Sequence, residues 1–355
     1  MHQIRILLIA LPFAVAFLVS MVFAPGMIAA LKRRRVGQVI SEDGPESHRN
    51  KEGTPTMGGL IILAGILGAA FVLTSGWVFR GDNMIVRGAS YGHGDLLAVV
   101  LLMLSYALLG VVDDALTVRP SAARGIPSKP KAAIQILLAV AFVLWLAYGR
   151  PDGFLPMLVV GGTTVLAGVW YYVFAVVFIV GMANFVNITD GLDGLACGLM
   201  SIAAAAFVVC PVFVPGIVVE PVNPMLFSLL SAVAGACLAF LWFNANPAKV
   251  FMGDTDSLAL GVVLPAIGIM AHREVLVIIV GLIFVLDGLS SALQWAVFKF
   301  TRVTTGTGKR VFKKSPVHHH FELSGWAEQA IVARFWILGV VAAVLGLAGA
   351  TWRIW

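Results

Sequence analysis

Apolar runs of about 20 residues recur along almost the whole chain, which is the length a helix needs to cross the hydrocarbon of a bilayer. Segments 4–31, 57–77, 95–112, 131–148, 165–186, 192–212, 225–243, 257–271, 275–297 and 331–352 read as such runs. In hydrocarbon, backbone N–H and C=O groups must be satisfied without water, so only helices and closed barrels can span it. Long runs without strict alternation predict helices. Composition agrees. The 355 residues are 60% hydrophobic and 12% charged, with a mean hydropathy of +0.96, too apolar for a domain whose whole surface meets water. The expected fold is an all-α polytopic membrane protein of about ten transmembrane helices. Residues 1–355 form one integral-membrane domain in this reading, with no soluble module or internal repeat. The Gly/Pro-rich stretch 151–164 predicts a short hairpin or interfacial turn.

Residues 6–23 could pass for the core of a signal peptide, but no small-residue cleavage site precedes the basic stop at Lys32–Arg35, so a retained first span is expected. Cys197, Cys210 and Cys237 sit inside apolar runs without pairing or metal-ligand spacing, and read as small packed hydrophobes. Of the 24 lysines and arginines, Arg5, Arg80, Arg87, Arg150, Arg273 and Arg353 fall on one side of the predicted spans and the other 18 on the opposite side. The positive-inside bias places the larger set in the cytoplasm and both termini outside, in a bacterial inner membrane. The basic run Lys32–Arg35 suits anionic headgroups of the bilayer. No nucleic acid partner is expected.

Four clusters of acids and histidines interrupt the apolar pattern, and all fall on the cytoplasmic side although none entered that count. Asp113 and Asp114 end the third span. Adjacent carboxylates repel and resist desolvation at a membrane boundary, and acids are disfavoured at a helix C-terminus, so a cation or cationic substrate is expected there. Asp254, in Phe-Met-Gly-Asp-Thr-Asp, opens the eighth span, where an acid can also act as a plain helix cap. With Asp113 and Asp114 it supplies hard oxygen donors suited to Mg²⁺, with phosphate and water completing the octahedron. Asn187, Asp190 and Asp193, spaced by three, are expected on one face of a helical turn, with Gly191 and Gly194 permitting close approach. They could read a nucleobase or ribose, or support the metal.

His318, His319 and His320 follow Lys309, Arg310, Lys313 and Lys314. Consecutive side chains diverge, which argues against one three-histidine metal site and favours phosphate binding or proton transfer. Lys51, Thr54 and Thr56, before Gly58 and Gly59, form a plausible anion-binding corner.

These blocks resemble the phospho-N-acetylmuramoyl-pentapeptide transferases. The similarity rests on Lys51-Glu-Gly-Thr-Pro-Thr-Met-Gly-Gly59, Val-Asp113-Asp114, Asn187-Ile-Thr-Asp-Gly-Leu-Asp193-Gly, Asn244-Ala-Asn-Pro-Ala-Lys-Val-Phe-Met-Gly-Asp254 and His318-His-His-Phe-Glu322, and runs from about residue 30 to the C-terminus. The acid blocks also occur in the wider polyprenyl-phosphate N-acetylhexosamine-1-phosphate transferase superfamily, whereas the Thr-Pro-Thr-Met-Gly-Gly and triple-histidine blocks mark this member. The resemblance implies Mg²⁺-dependent transfer of phospho-MurNAc-pentapeptide from UDP-MurNAc-pentapeptide to undecaprenyl phosphate, releasing UMP, by a homodimer. It makes Asp113, Asp114 and Asp254 the catalytic acids and metal donors. Lys51, Asn187, Gly191, Leu192, Asp193, Asn244, Phe251 and Gln294 match nucleotide-side positions, with Phe251 stacking on uracil. His318 and His319 match positions near the sugar phosphate and diphosphate.

Two departures stand out. Thr117 replaces a family lysine, leaving Lys129 or Lys131 as partner of the lipid phosphate, and Asp256 replaces a glycine, adding charge beside the metal. The segment 301–308 also looks long. A UDP-GlcNAc:polyprenyl-phosphate transferase would share the acids but lack the histidine block. A cation-coupled transporter would place acids near the midplane on broken helices.

Overall fold

The computed structural model describes residues 2–34, 51, 53–75, 84–117, 125–150, 153–213 and 223–351. In chain order these form α1 (His2–Arg33), α2 (Gly59–Thr74), α3 (Met84–Thr117), α4 (Ser128–Tyr148), β1 (Met157–Val160), β2 (Thr163–Ala167), α5 (Val169–Thr189), α6 (Leu195–Phe213), α7 (Pro224–Asn244), α8 (Asp254–Met270), α9 (Glu274–Val280), α10 (Leu282–Thr305), α11 (Val317–Glu322) and α12 (Glu328–Thr351). Arg35, Arg49, Arg80, Arg119, Arg124 and Arg353 of the charge count lie outside the described residues.

Every predicted apolar segment overlaps a helix. Seven helices (α1, α3, α4, α5, α7, α10 and α12) are long and apolar enough to cross a membrane, while α2 and α6 are apolar but shorter. The ninth segment is not one helix: it breaks at Gly281, which ends α9 and opens α10. Within the expected turn region, β1 and β2 form an antiparallel hairpin from Met157 to Ala167, turned by Gly161 and Gly162 at φ 57° and 77°. Two consecutive left-handed residues are what a tight hairpin demands, and glycine takes that conformation without a steric cost. The hairpin displaces the start of α5 from the expected 165 to Val169.

One hydrophobic cluster runs through the described helices, and α8 lies at its centre. Every residue of α8 from Thr255 to Met270 is buried, as expected of a helix apolar on all sides. It packs on α2, α3, α5 and α7. Close approach depends on small residues. A Cβ on Gly110 of α3 would lie 2.1 Å from the Asp254 carbonyl oxygen, and one on Gly261 would lie 2.6 Å from the Ala183 Cα of α5. Lipid offers no hydrophobic incentive for helices to associate, so such backbone contact carries much of the packing.

Asp95, His272 and Glu274 are scattered along the chain, far from the four acid and histidine clusters. They have partners of their own, at the end of the bundle away from the acid blocks. Arg150 donates to Asp95 at 3.1 Å, Tyr171 donates its hydroxyl proton to Glu274, and the His272 ring stacks on Phe154 at 5.1 Å. Burial pushes the Glu274 carboxyl up to about 7.

Candidate active site

The C-termini of α3 and α5, the N-termini of α4 and α8, and the short α11 meet at one end of the bundle. Asp113 lies one turn before the end of α3, with its Oδ1 accepting the Ile126 N–H at 2.5 Å and its Oδ2 accepting from Lys131 Nζ at 3.2 Å. The same ammonium donates to Asp254 Oδ2, so Lys131 bridges two carboxylates 123 and 18 residues away in sequence. Asn187 completes the arrangement by donating to Asp254 Oδ1 at 2.7 Å and to Ser257 Oγ at 2.8 Å. Lys131 rather than Lys129 is therefore brought to the acids, and Lys129 stays exposed on the first turn of α4.

Asp114 faces a different task. Its Oδ1 accepts the Asp254 N–H at 3.0 Å, while its Oδ2 accepts the Thr255 N–H at 3.0 Å and the Thr255 hydroxyl at 2.6 Å. It caps α8 from a neighbouring helix, satisfying two orphan donors and complementing the positive end of the dipole. The residue in the cap position itself is Gly253 at φ 77°, where a side chain would strike Asp114 Oδ2 at 2.6 Å and Thr56 Oγ1 at 2.8 Å. Thr56 is thereby packed against the start of α8.

Asn187, Asp190 and Asp193 do not share one helical face, because α5 stops at Thr189 and 190–194 is a loop. The three side chains diverge. Asp190 accepts the Gly253 N–H; burial, reinforced by the negative charges of Asp254, Asp114 and Asp193, pushes its carboxyl well above the ordinary range. Asp193 accepts from Lys51 Nζ at 2.7 Å and from Asn246 Nδ2 and the Ala248 N–H at 3.0 Å. Glu328, at the start of α12, accepts from the same Lys51 at 2.6 Å and from the Asp193 N–H at 2.9 Å. Sequence reading missed Glu328; its place in the first turn of a helix gave it an ordinary explanation as a favourable N-terminal charge.

Asn244 and Gln294 are used as braces. Asn244 accepts the Gly194 N–H at 3.0 Å and donates to the Val250 carbonyl at 2.9 Å, tying two loops together. Gln294 accepts the N–H groups of Val311 and Phe312 at 2.9 Å and donates to the Phe312 carbonyl at 3.1 Å. Leu192 is 3% exposed and belongs to the core, whereas the half-buried Phe251 lies beside the Pro55–Gly58 segment through two backbone hydrogen bonds of 2.8 Å. Asp256 is wholly buried against Gly59, and neither of its carboxylate oxygens has a partner.

The first two histidine rings stay together, with centroids 4.3 Å apart, and have separate acid partners, while His320 bonds elsewhere. His318 is fully buried and its Nδ1 lies 2.7 Å from Asp287 Oδ2 on α10. Asp287 is the second residue that sequence reading missed: a lone acid inside an apolar helix was a signal, since it needs a partner to be tolerated there. His319 Nδ1 lies 3.0 Å from Glu322 Oε2, and burial holds its ring below the ordinary histidine value despite that acid. His320 accepts the Lys313 N–H at 3.1 Å and faces away. Gly191 sits over the first two rings, and a Cβ there would lie 2.4 Å from His318 Nε2.

Among the described residues no three His, Cys, Asp or Glu side chains form a metal cage. Two carboxylates with a cation already held between them fit Mg²⁺ better, since that ion takes one or two carboxylates and completes its shell with phosphate and water.

Residues 96–272 match the model of glycosyl transferase family 4, and 51–63 match signature 1 of the phospho-N-acetylmuramoyl-pentapeptide-transferases. The chain is 43% identical over 336 residues to the phospho-N-acetylmuramoyl-pentapeptide-transferase of Oceanobacillus iheyensis, spanning 94% of this chain and 95% of that one. To the protein of the same name from Bacillus thuringiensis it is 39% identical over 342 residues, spanning 95% and 96%.

Proposed function

The chain belongs to the phospho-N-acetylmuramoyl-pentapeptide-transferase family, and from that premise we propose that it moves phospho-MurNAc-pentapeptide from its UDP carrier to undecaprenyl phosphate. It is a multi-pass inner-membrane transferase acting on a nucleotide sugar and a lipid carrier, in the first membrane step of peptidoglycan synthesis. The observation that carries the mechanism is the Asp113–Lys131–Asp254 bridge at the mouth of the buried helix α8. An oxygen of the lipid phosphate attacks the sugar-side phosphorus. A new P–O bond forms as the bond to the uridylyl phosphate breaks, and UMP leaves with that electron pair. Diphosphate replaces diphosphate, so the step runs in both directions.

Mg²⁺ would be held by Asp254 and Asp113, and when bound it neutralises charge building on the phosphates. Asn187 orients Asp254, and Asp114 holds the start of α8 on which Asp254 stands. Lys131 adds positive charge for the lipid phosphate, which is largely ionised at neutral pH and needs orienting more than deprotonating. His318 and His319 face the sugar phosphate, and Lys51, Asp193 and Phe251 the nucleotide, with Phe251 stacking on uracil. Asn244, Gln294 and Leu192 shape the loops that carry these groups. The lipid phosphate carries its own ionised oxygen as nucleophile, which favours direct attack over an aspartyl-phosphate intermediate on Asp254. Exchange of labelled UMP into the UDP-substrate without any lipid phosphate would reverse that preference.

The acid end of the bundle faces the cytoplasm in this reading, which lets a polar nucleotide meet a lipid whose chain stays in the bilayer. Leu286, Leu289 and Leu293 form an exposed apolar stripe on α10 suited to that chain. Homodimerisation rests on family resemblance and is checked by light scattering in detergent. Purified protein given UDP-MurNAc-pentapeptide, undecaprenyl phosphate and Mg²⁺ should release UMP and form a lipid-linked product, and UDP-GlcNAc should not replace the donor. No product, or an equal rate with UDP-GlcNAc, overturns the assignment.

A further inference from the structure

His318 and Asp287 form a pair with 0% exposure on either side chain, yet the pair is only half satisfied. Asp287 Oδ2 meets Nδ1 at 2.7 Å, and the His318 N–H is directed at Oδ1 at 3.4 Å. The junction around them is pinned: Val317 N–H donates to Ser290 Oγ at 2.9 Å, and Ser290 donates to the Asp287 carbonyl at 2.6 Å. The ring therefore has one orientation. Its other nitrogen, Nε2, is buried without any partner. A histidine kept only for packing has both ring nitrogens hydrogen-bonded when buried; an orphan polar atom calls for a ligand that meets it.

The direction of Nε2 says where that ligand lies. It faces Gly191 at close quarters, where a methyl group would sit 2.4 Å from it, so only glycine leaves the ring where it is. Gly191 is four residues beyond Asn187, the residue that holds Asp254. The His319 ring packs beside the His318 ring with centroids 4.3 Å apart, and Asp190 and Asp193 lie either side of Gly191 in the loop.

We propose that Asp287 is the positioning residue for His318. It accepts the Nδ1 proton in a hydrogen bond, turns Nε2 toward the Gly191 loop, and stabilises the positive ring formed when Nε2 takes a proton from solvent and donates it in a hydrogen bond to a phosphate oxygen of the UDP-linked substrate. The pair works as a carboxylate–imidazole unit does when a buried acid sets the orientation and charge of a histidine that touches substrate. This rests on the transferase reading above, and it adds a residue of α10, a membrane helix, to the reaction.

The test is steady-state kinetics on the full-length protein in detergent with UDP-MurNAc-pentapeptide, undecaprenyl phosphate and Mg²⁺. Turnover by the unmodified protein decides the transferase reading on its own; the variants decide the role of Asp287. Asp287→Asn keeps shape and removes charge, so kcat should fall about a hundredfold with KM for the UDP-substrate changed less than threefold. Asp287→Glu should recover about tenfold of that loss. Combining Asp287→Asn with His318→Ala should be no worse than His318→Ala alone, because both act through one ring. Gly191→Ala, whose methyl would sit 2.4 Å from Nε2 and must push the ring off its line, should lower kcat as far as His318→Ala. Multiplying losses in the double variant, a loss that appears in KM alone, or an active Gly191→Ala enzyme would each overturn the proposal.

Discussion

Replacing Asp114 by alanine removes the acceptor shared by three donors at the start of α8. The Asp254 and Thr255 N–H groups would lose bonds of 3.0 Å each at a site where Asp114 is 7% exposed and water has little access. The Thr255 hydroxyl can rotate toward another acceptor, so the two backbone groups set the magnitude. A buried donor left unsatisfied costs about 1–3 kcal/mol, and loss of a cap carries a similar figure, so Asp114→Ala should destabilise the protein by about 2–4 kcal/mol. Asp114→Asn keeps one acceptor oxygen and should cost about half as much.

Both changes free the turn that carries Asp254, so UMP release should fall about a hundredfold while apparent Tm drops by roughly 5–10 °C for alanine. A direct metal ligand behaves otherwise: its removal leaves Tm in place and is partly relieved by excess Mg²⁺. The measurements are a thermal melt in detergent and UMP release across a Mg²⁺ titration. An Asp114→Ala protein with unchanged Tm, whose activity returns at high Mg²⁺, would refute the capping argument.

Lys131→Met should lower kcat/KM by a hundredfold or more by the order of one lost electrostatic contact, about 3 kcal/mol, whereas Lys129→Met should stay within about twofold in the same UMP assay. Gly110→Ala drives a methyl into the Asp254 carbonyl, so it should destabilise by about 1–3 kcal/mol in a thermal melt. Gly181→Ala, where a Cβ meets nothing within 4 Å, is the neutral control. Glu274 has its carboxyl raised from 4.5 to about 7 in the folded protein, so its folded form holds the proton more tightly than the unfolded one. That penalty is absent below about pH 4.5, grows through the window up to about 7, and is constant above it. Glu274→Gln, which still accepts from Tyr171, should therefore leave Tm unchanged at pH 4.5 and raise stability by up to about 3 kcal/mol at pH 8.

The spans and the acid blocks were legible because each depends on a contiguous stretch. An apolar run long enough for lipid is recognisable residue by residue, and so is an acid stranded at its end, since both follow from the solvation of local chemistry. The hairpin was half legible, from the glycines that turn it. The break at Gly281 was not, because one glycine among apolar residues looks the same in a straight helix and a broken one.

What the chain alone determined is therefore its class, its helices and the residue types gathered near one boundary. The tertiary structure decided which of these residues meet. It brought Lys131 rather than Lys129 to Asp113 and Asp254, set the Asp114 carboxylate on the start of α8, and tied Asn244 and Gln294 to loop backbone. It also recruited Glu328, which looked like an ordinary helix-end charge, and gave the lone acid Asp287 its partner. The physical reason is one of distance: hydrogen bonds and ion pairs act over about 3 Å, and the partners here stand up to 277 positions apart in sequence. Only the packing of α8 against its neighbours brings such residues within reach.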